Sequence, residues 1–216
     1  MFALQSRSPV VVEGFATSTS DNAISEEEAR SLEELQSSLK NSLVLPSNFK
    51  QVPAFTLSDV DGAPLTETLF ERQWSLVFFG FTNCPDVCPT TLSVVNGVVK
   101  RLEEEDAEPP QVVFVTVDPG RDSASRMKDY VAYFNDEFVG VTGDLNAIIE
   151  LTSKLGIVVA FTANEENPEH YNVDHTASLL LIDPERRVRA KLNVPHEVDT
   201  IAADFLKLRT GLTKLN

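Results

Sequence analysis

The run Ser75-Leu76-Val77-Phe78-Phe79-Gly80-Phe81 constrains this 216-residue chain more than any other segment. It holds no charged residue and does not alternate, as a strand with one wet face would. A strand that is apolar on both faces needs cover on both, which predicts the middle of a sheet with helices above and below. The following residues supply that cover. Val94, Val95, Val98, Val99 and Leu102 recur at helical spacing, and the acidic run Glu103 to Asp106 with Pro109-Pro110 closes that helix. Gln111 to Val117 predicts a second buried strand. Asp122 or Ser123 is placed to cap a helix through Met127, Tyr130, Val131 and Phe134. Phe138 to Val141 reads as a short strand, and Leu145 to Leu155 as a helix stopped by Gly156.

The two ends differ in kind. Residues 1–24 mix Ser, Thr and small side chains without periodicity and read as a mobile arm. Ser25 with Glu28 forms a capping box, and Ala29, Leu32, Leu35, Leu39 and Leu43 make one apolar stripe. An accessory amphipathic helix over residues 25–45, ended by Pro46, is therefore expected to lie on a domain spanning 46–216, rather than to bind a partner. Pro53-Ala54-Phe55-Thr56-Leu57 predicts a strand, and Asp59-Val60-Asp61-Gly62 a turn. Near the C-terminus, Ala177 to Ile182 and Arg187 to Leu192 flank Asp183-Pro184 as an antiparallel hairpin. A last helix takes in Ile201, Phe205 and Leu208. Between them, Thr162 to Asp174 reads as one long acidic loop, of a length more often functional than accidental. The class is α/β: a thioredoxin-like mixed sheet flanked by helices, with an extra N-terminal helix.

Composition narrows the partners. With 18 basic against 33 acidic residues the net charge is −15, which repels phosphate backbones and anionic lipid and argues against nucleic acid. No run approaches the roughly 20 apolar residues that cross a bilayer. Arg7 interrupts the apolar start, and no small-residue cleavage site follows. The expectation is a cytosolic protein, or a soluble part whose targeting segment lies outside it.

Cys84 and Cys88 are the two cysteines, four positions apart. A secreted disulfide scaffold would carry more of them, more widely spread, so this spacing points to a redox pair or to metal ligands. They fall where the buried strand gives way to a helix. A helix N-terminus stabilises the Cys84 thiolate, Pro85 and Pro89 tolerate a first turn, and Cys88 at i+4 shares its face. Asp86 opposes thiolate formation, so reactivity stays open. A thioredoxin oxidoreductase would have two intervening residues. Three leave room to clamp an ion, and two thiolates suit Cu(I), while an added imidazole also suits Cu(II). Structural zinc usually takes four ligands. Of the three histidines, His175 sits at the end of the long loop, before a buried strand, at a junction that faces the cysteine helix in a thioredoxin-like fold. His170 reads as solvent-facing and His196, after Pro195, as outside the site.

Three segments in order, FGFTNCPDVCPTTL, FVTVDPGRD and VDHTASLLLIDPE, resemble the Sco/SenC family of copper-binding, thioredoxin-like proteins, over roughly Val52 to Leu208. That family is associated with assembling the dinuclear copper site of cytochrome c oxidase. The resemblance implies that copper, as Cu(I) and Cu(II), is bound by Cys84, Cys88 and His175. It places Asp118 near the site as a supporting or partner-docking residue, although a carboxylate merely ending a strand reads equally well. The implied partner is the copper-site subunit of cytochrome c oxidase, or another copper or thiol-redox protein. The implied location is the periplasmic or intermembrane-space face of a membrane, through an anchor outside this chain. Gln73-Trp74 replaces a common Gly-Lys pair, the hairpin at Asp183-Pro184-Glu185-Arg186 lacks the usual turn glycine, and the acidic N-terminal helix is outside the family pattern. Two functions share these residues: a copper metallochaperone, and alternatively a thiol–disulfide reductase with Cys84 and Cys88 as redox pair. A peroxidase of the peroxiredoxin kind needs Thr three residues before its reactive cysteine, where Phe81 and Pro85 stand.

Overall fold

The computed structural model describes residues 24–163 and 171–215. Helix α1 (Glu26–Ser38) leads into β1 (Ser42–Val44), and β2 (Leu57–Asp59) and β3 (Pro64–Leu65) form a hairpin. Then β4 (Ser75–Gly80), α2 (Val87–Glu104), β5 (Gln111–Thr116), α3 (Ala124–Phe134), β6 (Val139–Thr142) and α4 (Leu145–Leu155) alternate. The chain ends with β7 (Val159–Ala163), β8 (Tyr171–His175), β9 (Leu179–Ile182), β10 (Val188–Leu192) and α5 (Val198–Thr213).

Among the described residues, eight strands form one sheet in the order β1-β10-β9-β4-β5-β6-β2-β3. β4, β5 and β6 run parallel and the other pairings are antiparallel, so the sheet is mixed, as expected. The apolar run of β4 lies at its centre between β9 and β5, with Leu76, Phe78 and Phe79 fully buried. Burying side chains of that size contributes about 1.5–3 kcal/mol each, which fixes the strand's place. α4 ends at Gly156, whose φ of 76° is the left-handed conformation that a side chain would strain.

Three expectations need correction. The N-terminal helix stops at Ser38 instead of running to Pro46, because the chain beyond it finds other partners. The buried carboxylate of Asp204 on α5 accepts from the amides of Lys40 (3.0 Å) and Asn41 (3.1 Å) and from the Ser42 hydroxyl (2.8 Å). Residues 42–44 then pair with β10 as the edge of the sheet, which buries Ser42 and Val44 and leaves Leu43 outward. Second, only Leu57 of the segment 53–57 is in a strand; Phe55 instead packs on the Phe70 ring at 6.2 Å. Third, the described ends of the long loop are strands: β7 and β8 pair antiparallel from Val159↔His175 to Ala163↔Tyr171, and residues 164–170 between them lie outside the described residues. The expected arm, apart from Ile24, lies outside the described residues, as does His170.

Candidate metal centre

The site forms where β4 ends and α2 begins. In the connecting turn, the Cys84 amide donates to the Phe81 carbonyl at 3.2 Å. The Cys88 amide, in the first turn of α2, donates to Cys84 Sγ at 3.3 Å. The Cys84 sulfur thus receives a helix N-terminal N–H, as its sequence position predicts. Cys84 is half-buried, Cys88 is fully buried, and both thiols are free. β8 brings in the third side chain: His175 Nε2 lies 3.5 Å from Cys88 Sγ. The donor atoms of Cys84, Cys88 and His175 all fall within 4.8 Å of one another.

The backbone and two aromatic rings orient the histidine. Its Nδ1 lies 3.1 Å from the Thr176 carbonyl, which can only accept, so Nδ1 carries the proton and Nε2 turns its lone pair to the sulfurs. Phe78 and Phe81 wall the ring, with centroids at 5.9 and 5.8 Å. Burial pushes the His175 pKa below the ordinary imidazole value, against a smaller upward pull from the Thr176 carbonyl. Burial pushes the Cys88 thiol strongly up, and the Cys84 hydrogen bond adds to that shift. At neutral pH the site therefore presents a neutral imidazole and a protonated Cys88.

Gly80 makes room for the buried sulfur. A Cβ there would meet Cys88 Sγ at 2.9 Å and Phe114 Cε2 at 2.8 Å. Gly80→Ala is expected to lower stability by about 1–3 kcal/mol, the usual cost of overpacking, and to push Cys88 away from His175. Chemical denaturation with a thiol-reactivity assay checks this; unchanged values in both would mean that the helix yields freely.

Asp118 is outside the three-donor group. Its buried carboxylate accepts from the Tyr171 hydroxyl at 2.5 Å and from Arg121 Nε. Arg121 stacks on the Tyr171 ring, 4.0 Å from its centroid, and donates to the Tyr171 carbonyl at 3.1 Å. Asp118 therefore clamps the first residue of β8, the strand whose last residue is His175. His196 bonds through both nitrogens, to Thr91 Oγ1 (3.1 Å) and the Leu192 carbonyl (3.4 Å), and takes no part. Sequence reasoning missed Tyr171 and Arg121. The period-two series Tyr171, Val173, His175 was the available signal, since alternate residues of a strand share a face.

Known proteins resemble this chain in sequence and in fold. The family model SCO1/SenC matches residues 45–210. A protein of Stutzerimonas stutzeri named for copper binding is 34% identical over 159 residues, 74% of this chain and 76% of its own length. The mitochondrial SCO2 homolog of Bos taurus is 36% identical over 132 residues, 61% of this chain; the match spans about half (49%) of that relative. Among solved structures, Arabidopsis thaliana ScoI with copper bound superposes with a TM-score of 0.69 at 28% identity, covering 74% of this chain and 99% of that one. Yeast Sco1 with copper bound gives 0.67 at 29% identity, covering 73% and 87%. The fold is the thioredoxin-like one of these neighbours. Because the match runs through the residues that build both the central sheet and the dithiol turn, this chain belongs to the SCO1/SenC family.

Proposed function

We propose that the protein is a copper metallochaperone that holds copper through Cys84 Sγ, Cys88 Sγ and His175 Nε2 and passes it to a partner. The observation that carries this reading is the convergence of the three donors within 4.8 Å, with the imidazole already in the metal-binding tautomer. Two thiolates select soft Cu(I), and the imidazole extends the site to Cu(II). Three ligands fall short of the closed four-ligand shell of structural zinc, so a position stays open through which copper can be exchanged. Coordination must displace the Cys88 proton, which ties loading to thiol state. The names of the relatives support copper, and the destination that the sequence resemblance implies is the dinuclear copper site of cytochrome c oxidase. The family resemblance supports the intermembrane-space or periplasmic face of a membrane as the setting, and the SCO2 relative of Bos taurus is named as mitochondrial. No helix among the described residues is long and apolar enough to cross a membrane.

The thiol–disulfide reductase reading is favoured by one observation: Cys84 is free, partly accessible and bonded by the Cys88 amide, as an attacking thiol should be. Metal analysis tests the primary reading. Reduced protein offered copper and zinc together is expected to retain about one copper ion, since thiolates prefer Cu(I). The Cys84–Cys88 disulfide form is expected to take up none until reduced, because coordination needs free thiolates. Equal binding by the oxidised form would place the copper elsewhere.

A further inference from the structure

The β5–α3 loop carries a second buried carboxylate besides Asp118. Either Asp122 or Ser123 could cap α3 from the sequence; in the fold Ser123 does so, its Oγ accepting from the Arg126 amide at 3.3 Å. That frees Asp122 to turn inward, where it is 1% exposed. Its oxygens accept from the Thr82 amide (3.0 Å), the Thr82 hydroxyl (2.5 Å) and the Thr116 hydroxyl (2.6 Å). Among the described residues it has no ion-pair partner. Burying a carboxylate without a counter-charge is costly unless hydrogen bonds satisfy it, and all three of these bonds go to the end of β5 or to the turn that carries Cys84.

We propose that Asp122 is a positioning residue for the dithiol: it pins Thr82, and hence the turn that presents Cys84 Sγ to the Cys88 amide and to His175. The same loop reaches the other ligand-bearing element. Thr116 Oγ1, which donates to Asp122, accepts from the Asp118 amide at 2.9 Å, and Asp118 clamps Tyr171 at the base of β8. The loop also runs beside the end of β4, where the Val117 amide donates to the Gly80 carbonyl at 2.8 Å. One loop thus sets the spacing between the sulfur-bearing turn and the imidazole-bearing ribbon. Asp122 touches neither metal nor thiol in this scheme, and its copper consequence rests on the metallochaperone reading above.

Asp204 provides a matched control. It too is a fully buried aspartate held by amide and hydroxyl donors, here two backbone amides and one hydroxyl where Asp122 has one amide and two hydroxyls, but at the α1–β1 connection. Asp122→Ala is expected to weaken copper affinity about tenfold or more and to shift the sulfur-to-Cu(II) charge-transfer band. In metal-free reduced protein it should raise the rate of Cys84 alkylation by iodoacetamide at least about threefold, as the released turn exposes the sulfur. Asp122→Asn, which keeps an acceptor for the Thr82 amide, should fall between Asp122→Ala and the parent. Asp204→Asn should lose thermal stability and move neither the band nor the alkylation rate. If Asp122→Ala cannot be folded, Asp122→Asn and Thr82→Val carry the same test. The proposal is overturned if the Asp122 variants lose stability as Asp204→Asn does, with band, affinity and alkylation rate unchanged. Should the parent bind no copper, the metallochaperone reading fails, while the alkylation measurement still decides whether Asp122 positions Cys84.

Discussion

Cys88→Ser is expected to weaken Cu(I) binding by roughly 200- to 1,000-fold while the protein stays folded. The magnitude takes structural zinc sites as a guide: about 10–16 kcal/mol over four ligands is about 2.5–4 kcal/mol each, and a thiolate on a soft ion is taken from the upper part of that range, about 3–4 kcal/mol. The fold survives because Cys88 closes no disulfide, and a serine hydroxyl in its buried place costs only about 1–3 kcal/mol. Competition with a Cu(I) chelator measures the first quantity and denaturant unfolding the second. A pH series sharpens the result. Burial holds the Cys88 thiol well above its ordinary value, so its proton must leave as the metal enters. Affinity should therefore rise with pH, by up to about tenfold per unit for each proton displaced, and the Ser variant should lose one proton from that slope. Parental affinity in Cys88→Ser would remove the dithiol from the copper site.

His175→Ala is expected to abolish Cu(II) binding and its sulfur-to-copper absorption, and to weaken Cu(I) binding much less. Two thiolates can satisfy Cu(I), whereas Cu(II) needs the harder nitrogen donor. The dithiol should still form and lose a disulfide, because exchange uses only the sulfurs. This separates the two functions. In cells lacking the parent protein, a His175→Ala variant that still supports oxidase copper assembly would favour thiol reduction. A dead variant with normal disulfide exchange would favour copper delivery. Full Cu(II) binding by the variant would return His175 to a structural role between Phe78 and Phe81.

The elements that sequence reasoning located share one property: burial decides them. β4 and β5 are apolar runs with polar or proline boundaries, α2 carries its stripe through Val95, Val98, Val99 and Leu102, and α4 has both a cap and a terminal glycine. Cys84, Cys88 and His175 were legible because their order along a thioredoxin-like chain already brings them to one end of the sheet. What stayed hidden is decided by hydrogen bonds between distant residues. Leu39 and Leu43 fall four apart, which mimics a helix, yet Asp204 draws the intervening backbone out of helical geometry from more than 160 positions away. β7 is exposed over most of its length, so no apolar alternation marks it, and the period-two series of β8 is too short to stand out without that partner. The inward turn of Asp122 depends on which of two adjacent caps wins, and nothing local separates an aspartate from a serine in that contest.

The SCO1/SenC family model begins its match at residue 45, directly after β1. The folding unit begins earlier. A polypeptide cut at the family boundary would leave the Asp204 carboxylate in the interior without the donors of Lys40, Asn41 and Ser42, and would bare the edge of β10. It would also empty the seat of Leu35 against α5, where Leu35 approaches Gly211 so closely that a Cβ there would meet its Cδ2 at 3.0 Å. A stranded buried charge alone costs about 3–5 kcal/mol, a large share of the roughly 5–15 kcal/mol that holds a domain together. The family match and the interlocked fold therefore have different borders in this molecule: the matched segment carries the donor atoms, and the residues just before it brace its edge and satisfy its interior.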